Sequence, residues 1–122
     1  MPISTFRDLE TWQRAHELHQ AICDACRESP LKQRYRLAQQ MKAAASSAMA
    51  NIAEGFGKST RSKAELQRFL SMAVGSADEM RVWLRYCLDL GYITESSWQA
   101  WRDEYEQIAK MLQGLSKSAR QG

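Results

Sequence analysis

Prolines are scarce in this chain. Its 122 residues contain two, Pro2 and Pro30, so long uninterrupted helices are permitted. No apolar run approaches the roughly 18–20 residues that a membrane-spanning helix needs. The first residues, Met1-Pro2-Ile3-Ser4-Thr5-Phe6-Arg7, lack the basic and then apolar order of a signal peptide. Cysteine is limited to Cys23, Cys26 and Cys87. An odd count in helix-periodic segments without an export signal predicts reduced thiols and a cytoplasmic location. Alternating strand patterns and internal repeats are absent. No Ser/His/Asp set or phosphate-cradling glycine loop after a strand can be traced, which argues against an enzyme. The size predicts one domain, 1–122, with a core over about residues 6–115 and a polar, frayed tail after Lys117.

The residues present follow the helical period. In a first helix over about Arg7 to Glu28, Leu9, Trp12, His16, His19, Cys23 and Cys26 recur at 3-4-3-4-3 spacing. Ala15, Leu18, Ile22 and Ala25 form an adjacent stripe. Ser29-Pro30 then reads as an N-cap followed by a first helical residue. It opens a second helix from about Leu31 to Glu54, rich in small residues from Ala43 to Ala50, with Gly55 and Gly57 free to take positive φ and end it. Ser62-x-x-Glu65 is a capping box for the third helix. There Leu66, Leu70, Ala73, Ala77, Met80, Leu84 and Cys87 hold a 4-3 alternation up to a C-cap at Gly91. Ser96-x-x-Gln99 opens a fourth helix with Trp98, Trp101, Tyr105, Ile108, Leu112 and Leu115 on one stripe. Four amphipathic helices with short connections predict an all-α, antiparallel up-down-up-down four-helix bundle.

Second stripes on the first and third helices predict self-association. On a monomer they would leave a large apolar area exposed. Met72 and Trp83, together with Leu18 and Ile22, are the expected interface residues.

Net charge is +3, but between residues 29 and 63 seven cations face a single acid, Glu54. Lys32, Arg34 and Arg36 open the second helix, while Lys58, Arg61 and Lys63 follow its end. In an antiparallel bundle the two groups lie at opposite ends, about 35 Å apart. Repeated by oligomer symmetry, such patches attract phosphate backbones. These six residues are the expected nucleic-acid contacts. Asn51 and Glu54 are expected to make local helix or turn contacts.

Other constellations carry less. His16, His19, Cys23 and Cys26 are metal-ligand types, but ten helical residues rise about 15 Å, and zinc ligands must all reach one ion. No metal or cofactor is expected. Arg14 and His19 match a loose ribonuclease spacing, yet they are about 140° apart around an ideal helix.

Three segments resemble one bacterial family: Phe6-Arg7-Asp8-Leu9-Glu10-Thr11-Trp12, Leu37-Ala38-Gln39-Gln40-Met41, and the small run into Asn51-Ile52-Ala53-Glu54-Gly55-Phe56-Gly57. Phe69-Leu70, Ala73-x2-Ser76-x2-Glu79 and Leu90-Gly91-Tyr92-Ile93 resemble it too. This is the four-helix-bundle family of proteins encoded in intervening sequences of 23S ribosomal RNA genes, distantly similar to accessory proteins of diversity-generating retroelements. The resemblance implies a homopentamer of antiparallel bundles, possible nucleic-acid contact and no catalytic residues. The expected function is non-enzymatic: an oligomer binding RNA or a ribonucleoprotein. A protein-interaction scaffold is the alternative.

Overall fold

The computed structural model describes residues 6–57 and 62–121. Four helices account for most of it: α1 (Glu10–Cys26), α2 (Tyr35–Gly57), α3 (Lys63–Asp89) and α4 (Glu95–Gln121). Short 3-10 turns at Phe6–Asp8 and Leu31–Gln33 precede α1 and α2. Each helix packs on its neighbour in sequence, and α1 closes the ring on α4. Among the described residues the backbones of the diagonal pairs α1–α3 and α2–α4 stay apart, so these helices face each other only across the core. The result is the expected all-α, up-down-up-down four-helix bundle.

Its centre is filled by Ile22, Met41, Ile52, Leu84, Tyr105 and Leu112 with their neighbours. On α3 the buried residues are Leu70, Ala73, Ala77, Met80, Leu84 and Cys87, the stripe that its 4-3 spacing predicts. The ends of α3 also match expectation. Ser62 Oγ accepts the Glu65 amide at 3.1 Å. Gly91, at φ 75°, lets its own amide reach Leu88 O and the Tyr92 amide reach Cys87 O, at 3.0 and 2.8 Å. These two bonds are a Schellman closure, which needs a left-handed residue and hence favours glycine.

The small run also faces inward. Ala44, Ala45 and Ala48 are buried. Beside them Ser76 Oγ on α3 bonds Ser47 Oγ on α2 at 2.8 Å. Asn51 Nδ2 donates to Ser47 O and Oγ at 2.9 and 3.1 Å, so Asn51 steadies the serine that bridges the helices.

Several expectations are corrected. Leu18 and Ile22 are not interface residues: they lie in the core of one chain, Ile22 with no exposed surface. The buried face of α1 is Thr11, Ala15, Leu18, Ile22 and Cys26. Aliphatic side chains gain most from burial, while His16 and His19 carry ring nitrogens that are costly to bury unpaired. Helix 2 starts at Tyr35, not Leu31. Arg34, at φ −108° and ψ 66°, leaves the helical region, and buried Leu31 anchors a separate turn. Gly55 lies inside α2 without a positive φ, and the helix runs on to Gly57. Thr94, not Ser96, caps α4, with its Oγ1 accepting the Ser97 amide at 3.0 Å. That helix then continues to Gln121 without fraying at Lys117.

Candidate nucleic-acid interface

The turn at Leu31–Gln33 and the first turn of α2 stand beside the C-terminal end of α3. Lys32, Arg34 and Arg36 are brought together there and are exposed. Among the described residues, neither Lys32 nor Arg36 is ion-paired. Arg34 is held against a neutral partner. Its Nε donates to the Tyr92 hydroxyl at 2.7 Å, and its guanidinium carbon lies 5.1 Å from the Tyr92 ring centre. This fixes one cation where the Gly91 turn delivers Tyr92.

Between these cations and α3 runs a groove of about 510 Å³. Tyr35, Leu37 and Gln40 line it from α2, and Trp83 and Tyr86 line it from α3. Trp83 and Tyr86 meet edge to face, with ring centres 6.0 Å apart and planes at 86°. Trp83 Nε1 donates to Glu79 Oε2 at 3.1 Å. Tyr35 is 71% exposed and Tyr86 49%.

Lys63, exposed at the start of α3, lies at the other end of the bundle, as its position in the antiparallel order requires. Lys58 and Arg61 lie outside the described residues. Met72 and Val82 are exposed on α3 and Leu90 is exposed at its C-cap, whereas Trp83 is half-buried in the groove wall.

The remaining candidates disperse. Cys26 points to the core, with Sγ 4.0 Å from Ala38 O, whereas Cys23 and His19 sit on the flank with Sγ and Nε2 3.5 Å apart. Burial, aided by the nearby His16, lowers the His19 pKa. Among the described residues no three His, Cys, Asp or Glu side chains could hold a metal ion. Arg14 turns away from His19. It grips Glu104 on α4 through Nε–Oε2 and Nη2–Oε1 at 2.8 and 2.5 Å. That hydrogen bond raises the Arg14 pKa further. Trp12 stacks on His16 at 4.9 Å and meets Phe6 edge-on at 5.0 Å, which gives the Phe6-to-Trp12 segment a structural role. Glu54 is exposed on the last turn of α2, and Gly55 is buried against α3.

Sequence reasoning found the three cations at this end and missed Tyr35, Tyr86 and Tyr92. The alternation Arg34-Tyr35-Arg36 was the available signal, because aromatics interleaved with cations are a pattern of nucleic-acid surfaces.

These features define a helical-bundle protein with an aromatic, cationic end where α2 begins and α3 finishes. The sequence profile described as 23S rRNA-intervening sequence protein matches residues 7–114, and the chain belongs to that family. No curated protein matches the sequence. A crystal structure of a protein of unknown function from the S23 ribosomal protein family of Bacteroides thetaiotaomicron VPI-5482 is similar, with a TM-score of 0.79 at 21% identity, covering 88% of this chain and 95% of that one. This likeness concerns the fold. No described helix is long and apolar enough to cross a membrane.

Proposed function

We propose that this chain is a non-enzymatic, cytoplasmic, self-associating protein that binds RNA through the cationic end of its bundle. The observation that carries this reading is the exposed group Lys32, Arg34 and Arg36, in which Lys32 and Arg36 lack an acidic partner among the described residues. Unneutralised cations release counterions when they meet phosphates, and this drives binding. Self-association is supported by exposed Met72 and Val82 on α3 and Leu90 at its C-cap, apolar area that a monomer leaves in water. The resemblance implies five copies, which would repeat the cationic end five times. The non-enzymatic part rests on where the polar groups turn: Arg14 to Glu104, Glu79 to Trp83 and His19 to Cys23.

The test is RNA affinity at roughly 50 and 200 mM salt, the range over which phosphate contacts weaken steeply. The Lys32→Ala/Arg34→Ala/Arg36→Ala protein should bind more weakly and with a shallower salt slope. Unchanged affinity and slope would remove RNA binding from this end.

A second reading, a protein-interaction scaffold, is favoured by the same apolar face of α3. Under it the intact oligomer binds no RNA at the lower salt and retains one stoichiometric protein from nuclease-treated lysate.

A further inference from the structure

We propose that the groove between the start of α2 and the end of α3 is a stacking site for unpaired bases, so that the RNA held at this end is single-stranded. This rests on the reading above and narrows it, since phosphate contact alone would accept any RNA.

The groove combines two chemistries. Its walls are aromatic, with Tyr35, Trp83, Tyr86 and Tyr92, and its rim is cationic, with Arg34 and Arg36. At about 510 Å³ it falls within the roughly 300–1,000 Å³ of sites that take small organic groups. Every base has a π face, and stacking on aromatic side chains is available only when the base is not enclosed in a duplex. Arg34 is already positioned: Tyr92 holds its Nε, and its terminal nitrogens keep their donors for a phosphate. The one carboxylate bonded to a lining residue among the described residues is Glu79, tied to Trp83 Nε1.

Charge favours a polyanion over a second copy of the chain. A second copy meeting this end with its own would set Arg34 and Arg36 against the same cations, and burying them there would cost their hydration. A strand of phosphates pairs with the rim while its bases cover the tyrosines.

The test compares three probes of about 12 nucleotides, within the roughly 4–16 that such surfaces span: unstructured oligouridylate, an RNA duplex, and an abasic RNA backbone. Each is titrated against the intact protein and the Tyr35→Ala, Tyr86→Ala and Tyr86→Phe variants. Oligouridylate should bind about tenfold more tightly than the abasic strand or the duplex. Each alanine variant should lose about fivefold or more for oligouridylate and nothing for the other two probes, while Tyr86→Phe keeps the affinity. Equal affinities for all three probes, unmoved by the variants, would overturn stacking and leave phosphate binding standing. Failure of every probe at roughly 50 mM salt would overturn both. Alanine variants that change the oligomer mass in light scattering, with oligouridylate affinity intact, would make the groove a subunit interface and overturn the proposal.

Discussion

Gly55 on α2 lies so close to Leu66 on α3 that a Cβ at Gly55 would stand 3.2 Å from Leu66 Cδ1, and 3.4 Å from Phe69 Cβ. The glycine of the Asn-Ile-Ala-Glu-Gly-Phe-Gly segment therefore serves helix approach. Leu66 is half-buried and its methyl can give way slightly. Gly55 sits in the last turn of α2, where the gain from replacing glycine is at most the roughly 0.5–1 kcal/mol of a helix interior, so in Gly55→Ala it is largely offset. Gly55→Leu should cost about 1–3 kcal/mol through overpacking. At Gly75, which has nothing within 4 Å of the added carbon, Gly75→Ala should stabilise by the full helix gain. Chemical denaturation of the three variants checks the order.

The Arg14–Glu104 pair couples helices that are distant in sequence. Both side chains keep 30% of their surface, and the two-pronged geometry is of the stronger, charge-assisted kind. A double-mutant cycle with Arg14→Met and Glu104→Gln should return a coupling of about 1 kcal/mol, at the upper end for partly exposed pairs. A coupling of zero would mean that the pair merely decorates the seam.

Burial pushes the Cys87 thiol from its ordinary 9.0 up to about 11, with Cys26 adding to the shift. The unfolded chain loses this proton first. The group's contribution to stability is therefore complete below about pH 9 and drains away as pH climbs towards about 11. Melting temperature should fall across that window, and less steeply in Cys87→Ala, which is weaker throughout because of its cavity. At pH 8 a thiol reagent should label half-exposed Cys23 well before buried Cys26 and Cys87. Equal labelling rates would contradict the core.

Tyr105 is fully buried, and its hydroxyl finds no hydrogen-bond partner among the described residues. Burial raises its pKa. An unsatisfied buried hydroxyl costs about 1–3 kcal/mol, so Tyr105→Phe should hold or raise stability. A clear loss in calorimetry would show that the hydroxyl has a bonded partner, such as a trapped water.

The sequence was most readable where one signal stood alone. On α3 a single dominant stripe, a serine cap and Gly91 agreed, and the helix follows them. On α1 two stripes adjoined, and counting histidine and cysteine as apolar favoured the wrong one, which moved Leu18 and Ile22 to an imagined surface. Ser29-Pro30 looked like a helix start because the residues suit one, yet the Arg34 backbone breaks the run. At Thr94-Glu95-Ser96-Ser97 several hydroxyls competed for the cap, and composition could not choose. Half of the groove was visible as Arg34 and Arg36. The other half comes from Trp83 and Tyr86, far along the chain, and only the antiparallel return of α3 brings them together.

The up-down-up-down order places the beginning of α1 and the end of α4 at the same pole of the bundle, while the groove occupies the opposite one. A bulky module attached before Phe6 or after Gln121 would emerge roughly 35 Å, the length of α2, from Tyr35 and Tyr86. Immobilisation through either terminus therefore leaves the aromatic pole pointing away from the support, so a sensor surface or an affinity resin can present it without blocking it.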